Sequence, residues 1–142
     1  MIKKPIILTA LVMLLPALGI AAPACEKVVI AGETQATGPA TFVGDALSNQ
    51  GNLTVDVAIT GSKPNADGSI NATTTHTFTS GAIVFTTRDR ARLVPLNDFG
   101  VFRLDTQATI VEGGWGHLQL DGVLDFATGR ARWLARGEVC TG

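Results

Sequence analysis

The sequence predicts an all-β protein, an antiparallel barrel of about eight strands. Three observations carry that prediction. Apolar and polar residues alternate over most of the chain after a short leader; Gly, Asn, Asp and Pro clusters break the alternation at hairpin spacing; and helical spacing is not sustained anywhere beyond the leader. A Greek-key β-sandwich would show the same alternation and stands as the alternative. Closure has in its favour that it removes the sheet edges that invite aggregation.

The leader comes first. Lys3 and Lys4 make a short basic region, residues 6–21 carry no charge, and Ala22-Pro23-Ala24 follows with small residues where a signal peptidase inspects the chain. Basic, then apolar, then A-x-A is the order of a secretory signal. The reading is therefore a signal peptide over residues 1–24 and a single domain over 25–142, with Ala22 as another usable last residue. A retained anchor is the rival, but a membrane span needs roughly 20 apolar residues, and Pro16 and Gly19 interrupt this run. Cleavage would leave no membrane span. The chain would then be periplasmic or extracellular.

Removing 24 residues from 142 leaves 118, enough for one self-sufficient core. Lys3 and Lys4 leave with the signal, so nine basic residues face twelve acidic ones, a net charge of −3. Nucleic acid is not an expected partner, because phosphate neutralisation needs a basic face.

Cys25 and Cys140 stand at opposite ends of this domain. An even count in an oxidising compartment favours a disulfide, which would make the first and last segments neighbours. Two rivals stay open. Cys25 could be the lipid-bearing first residue of a lipoprotein, although Ala22 and Pro23 are not the residues such signals usually carry there. Unpaired thiols are the other; a metal site is poorer still, because no histidine lies near either cysteine in sequence.

The strands follow in order. Leu53, Val55, Val57 and Ile59 alternate with Thr54, Asp56, Ala58 and Thr60. Lys63-Pro64-Asn65-Ala66-Asp67-Gly68 supplies turn chemistry before a threonine-rich strand at 70–79. Ser80-Gly81 opens the next, 83–87. Asn97-Asp98-Phe99-Gly100 precedes a strand at 101–111 in which Phe102, Leu104, Thr106, Ala108 and Ile110 share a face, and Gly113-Gly114 follows it. Leu118, Leu120, Gly122, Leu124 and Phe126 make the next inward set, and Ala131, Trp133, Ala135, Gly137 and Val139 the last, with Ala127-Thr128-Gly129 between them. Each reads as a half-buried strand with one wet face.

Arg88-Asp89-Arg90-Ala91, Pro95-Leu96, Phe102-Arg103-Leu104, Gly113-Gly114-Trp115-Gly116, Gly122-Val123-Leu124-Asp125 and Gly137-Glu138-Val139-Cys140 resemble bacterial secreted β-barrels of calycin-like form, in the style of allene oxide cyclase and dirigent proteins. The likeness covers roughly residues 75–140 and rests on glycine turns. It departs where Leu118 follows the GGWG turn almost at once, without a longer glycine-alanine stretch. The resemblance implies a barrel with an apolar cavity and carries over no catalytic residue.

His76 is the leading candidate for ligand contact. On a strand at 70–78 it shares a side with Ile70, Ala72, Thr74 and Phe78, the side expected to face inward. The bland reading is a histidine satisfied by a threonine hydroxyl or a backbone carbonyl, or one on the outer face. His117, after Gly116, reads more as an exposed loop residue. Arg88, Arg90 and Arg92 sit at period two with Asp89 opposite, a row able to grip a carboxylate or phosphate but equally a solvated face that discourages edge pairing. Arg103, His117 and Trp115 belong with His76, Arg88 and Arg90 among the ligand-contact candidates. Trp115 is read as buried, a plug over one end, with an exposed contact residue as its alternative. No catalytic set, cofactor or metal spacing is evident.

Three functions follow: a barrel holding a small apolar molecule in its lumen, with His76 or an arginine orienting it; a structural or interaction domain with a filled lumen; and an enzyme of cyclase or isomerase type using the cavity. The first leads and catalysis trails. The enzyme reading needs two or more titratable groups converging on the lumen, and His76 is the only one evident from sequence.

Overall fold

The structure, a computed structural model, describes residues 24–81 and 83–142, with Ile83 described by its backbone alone. Of the expected signal peptide, all but Ala24 lies outside the described residues. Eight strands follow one another as β1 (Ala24–Ala36), β2 (Thr41–Ser48), β3 (Gly51–Pro64), β4 (Ile70–Ser80), β5 (Ile83–Pro95), β6 (Val101–Glu112), β7 (Trp115–Asp125) and β8 (Arg130–Thr141). Each pairs antiparallel with its chain neighbour, and β1 pairs with β8 to close the barrel. The up-and-down order rules out the Greek-key alternative. No helix of the described residues is long and apolar enough to cross a membrane.

Alternation decides which residues fill the barrel. On β1 the inward set is Val28, Ile30, Gly32 and Thr34; on β8 it is Ala131, Trp133 and Ala135. A small barrel of eight strands has an interior just wide enough for its own side chains, so bulk at one position needs smallness at another. Trp133 sits between Gly32 on β1 and Gly122 on β7 in the strand register. A Cβ at either glycine would run into the tryptophan residue. Gly32 thus makes room for the indole, and Gly122 for the close approach of the β8 backbone at Trp133.

Two strands differ from the expectation. β5 runs to Pro95 rather than stopping at Thr87, because Phe85, Thr87, Asp89, Ala91 and Leu93 all keep the inward phase. Acidic Asp89 at an inward position hid that continuity. Phe126, expected to point inward, lies past the end of β7, half-exposed, with its ring edge-on to Phe102 at 5.4 Å.

The two cysteines are joined. Cys25 and Cys140 face each other across the β1–β8 seam and form a disulfide spanning 115 residues of sequence. Such a bond belongs to an oxidising compartment. Both cysteines are out of phase with the inward sets of their strands, so the bond lies on the barrel's outer side at the end holding Ala24 and Thr141.

Candidate functional site

The distinctive chemistry is inside. Inward positions of β4 are Ala72, Thr74, His76 and Phe78, and those of β5 are Phe85, Thr87, Asp89, Ala91 and Leu93. Register sets Thr74 opposite Asp89 and His76 opposite Thr87. Four polar side chains therefore form a square on adjacent strands within a mostly apolar wall, to which β1 and β6 add the buried threonines Thr34 and Thr106.

Within the square, His76 Nδ1 lies 2.5 Å from Asp89 Oδ2, and the Thr74 hydroxyl donates to the same carboxylate oxygen at 2.7 Å. Asp89 is 1 % exposed and His76 6 %, and they are the only buried ionisable residues among those described. Asp89 Oδ1 and Thr87 Oγ1 are sealed from solvent without a hydrogen-bond partner. An unsatisfied buried polar atom costs on the order of 1–3 kcal/mol, so the square is an expense of stability rather than a source of it. Groups kept at such a cost in a lumen are candidates for function.

The imidazole is held on its other sides by rings. His76 stacks on Phe78 at 5.8 Å between centroids, and Trp133 meets it edge-on at 5.8 Å. Phe78 in turn stacks on Phe85 at 4.8 Å. Phe78 also meets Trp133 edge-on at 6.1 Å, so rings from β4, β5 and β8 pack together inside the barrel. With Nδ1 engaged, Nε2 is the nitrogen left for a ligand.

His76 and Trp133 border an inner cavity of about 70 Å³, whose wall also includes Thr34, Thr106, Leu104 and Leu124. Ile59, Ala72 and Leu93 belong both to that wall and to a wider mouth of about 330 Å³ near Pro39, Ala40 and Phe126. The mouth opens at the end carrying the β1–β2, β3–β4, β5–β6 and β7–β8 connections. A bulge in β3 between Ile59 and Gly61 lies beside it, a usual place for an irregularity that re-aims side chains.

Of the residues singled out from sequence, His76 is in the lumen and the others are outside. Arg88, Arg90, Arg92 and Arg103 are exposed on the outer faces of β5 and β6. Arg92 reaches Asp67 at 3.3 Å, and Arg90 and Arg92 border an open outer groove with Lys63 and Gln107. His117 is exposed, on strand β7 rather than in a loop. Trp115 corrects the expectation of burial: it is 44 % exposed. Its odd position on β7 is out of phase with inward Leu118 and Leu120, which turns the indole outward. The residues not foreseen as site members are Asp89, Thr74 and Thr87. For Asp89 and Thr87 the signal was the period-two row from Phe85 to Leu93, opposite in phase to the arginines; for Thr74 it was the inward row of β4 that it shares with His76.

The one group of potential metal-binding residues among those described is Cys25, Glu138 and Cys140, and its two sulfurs are consumed by the disulfide. Away from the lumen, the Ser69 hydroxyl and amide, donating to Asp67, hold that carboxyl below its ordinary 3.8, helped by Arg92. Comparison with family models, curated proteins and solved structures finds no match.

Proposed function

We propose that this is an exported barrel that binds a small, mostly apolar molecule in its lumen, with His76 Nε2 as the polar anchor. The observation that carries the reading is the imidazole fixed through Nδ1 to buried Asp89 while bordering a mostly apolar cavity whose other polar side chains are the threonines Thr34, Thr74 and Thr106. Ligand sites are usually apolar clefts with a few fixed polar groups, and this lumen has that composition. The A-x-A leader and the disulfide support the periplasm or the extracellular space over the cytosol.

Size narrows the ligand. Drug-sized pockets measure roughly 300–1,000 Å³, whereas the inner cavity is about 70 Å³. Only a small head fits beside His76, and an apolar tail would leave through the mouth past Ile59, Ala72 and Leu93. A slender amphiphile with one polar group at its end fits both compartments.

Trp133 lines the inner cavity and Trp115 is the only other tryptophan, so a Trp115→Phe variant reports from the lumen alone. Titration with straight-chain methyl ketones from butanone to nonanone should give a saturable change in emission with an optimum chain length. His76→Phe should abolish the saturation. Emission indifferent to the whole series would sink the binding reading and favour the filled-lumen alternative, to which the Phe78–Phe85–Trp133 packing already lends weight.

A further inference from the structure

We infer that the lumen is equipped for proton transfer, with His76 as general base toward a small carbonyl compound and Asp89 as the residue that positions its imidazole. The inference rests on the binding reading above and deepens it from holding a molecule to acting on one.

The geometry meets the demands of a base. Asp89 Oδ2 fixes the ring through Nδ1, and Thr74 fixes the carboxylate in turn. When Nδ1 carries the proton and donates it to Asp89, Nε2 presents a lone pair, and the carboxylate stabilises the imidazolium formed when Nε2 takes a second proton. Asp89 Oδ1, fully buried and without a partner, marks a carboxylate not spent on packing.

Covalent chemistry is poorly served by the same residues. Both cysteines are in the disulfide, the Thr74 hydroxyl is engaged by Asp89, and Thr87 Oγ1 is sealed. Thr34 and Thr106 also line the cavity, but among the described residues no hydroxyl is hydrogen-bonded to Nε2, so the base has no activated nucleophile and moves protons. In a carbonyl compound the C–H bond next to the carbonyl breaks, its proton passes to Nε2, and its electron pair becomes the carbon–carbon bond of an enolate. The oxygen takes the charge, within a wall that offers the Thr34 and Thr106 hydroxyls as donors. The proton then returns from Nε2 to carbon, at the same atom or, in an unsaturated compound, two atoms further on. Atoms and electrons balance with no co-reactant.

The test is exchange of the α-protons of butanone in deuterated buffer, followed by proton NMR, with Trp133 emission in the Trp115→Phe background reporting binding. The wild-type barrel should speed exchange over buffer, and His76→Gln should remove about 100-fold or more of that acceleration. Asp89→Asn should keep the half-saturating ketone concentration and still lower the exchange rate, a split that damaged packing would not produce. Bound ketone with no exchange above buffer overturns this inference and leaves binding standing. No response of Trp133 to ketone overturns both. An unchanged rate in a folded Asp89→Asn protein overturns the positioning role.

Discussion

Replacing Cys25 and Cys140 together with alanine should destabilise the barrel by about 5 kcal/mol while leaving its fold intact. The bond closes a loop of 115 residues. Loop-closure entropy for that length is about −16 cal/mol/K, or about 5 kcal/mol at 25 °C, all of it assigned to the unfolded chain. In the folded state the seam does not depend on the bond alone. Register pairs run from Ala24↔Thr141 to Gln35↔Arg130 along β1 and β8, holding the barrel closed by ladder hydrogen bonds. The assay is urea unfolding of both proteins followed by far-ultraviolet circular dichroism. With a slope of roughly 1–3 kcal/mol per molar urea for a small domain, the midpoint should fall by roughly 2–5 M, with the native spectrum unchanged. A loss below about 1 kcal/mol in a wild type shown by mass to be oxidised would refute the reasoning, since the unfolded chain would then gain nothing from release of its ends.

Three further outcomes are expected. Gly32→Ala places a methyl against the Trp133 indole, so it should cost about 1–3 kcal/mol by overpacking, and adding Trp133→Phe should recover part of that loss in the same urea assay. Asp89→Leu strands the His76 and Thr74 donors and should cost several kcal/mol, whereas the pair His76→Phe with Asp89→Leu should be more stable than Asp89→Leu alone, because a buried polar pair is often matched by apolar residues; a double variant worse than both singles would contradict this. Asp67, with a carboxyl held low by Ser69, adds stability above the ordinary value of 3.8 that is lost as pH falls through its lower folded value. Asp67→Asn should therefore be less stable than wild type near neutrality, and the gap should close in acid; a gap that is constant with pH would show that Ser69 does not distinguish the ionised form.

The likeness of the alternation to a barrel was legible because period two is a local property. Leu118, Leu120 and Leu124 could be assigned inward from β7 alone, and Trp133 from β8 alone, and the structure buries all four. Turns were legible for a similar reason: Gly129, between Asp125 and Arg130, takes a positive φ of 72° that glycine adopts at least cost. Strands β1 and β2 were less readable. Their inward rows hold Gly32, Gly44 and Ala46, residues too small to make a hydrophobic stripe, and the reason for that smallness lies on other strands. Trp115 was misread because size suggested burial while phase, the better guide, placed it outside.

The candidate site divides in the same way. His76 on an inward row was evident from its own strand, but its partner was not, because Asp89 stands thirteen residues later amid arginines that make the segment look solvated. Sequence alone determined the strand periodicity and the turn positions, since each depends on neighbours in the chain, and it set two cysteines at opposite ends of the domain. Closure of β1 onto β8, the pairing of Thr74 with Asp89 and of His76 with Thr87, and the glycines that admit Trp133 were decided by tertiary structure. Register across strands sets them, and register is fixed by the fit of all eight inward faces at once.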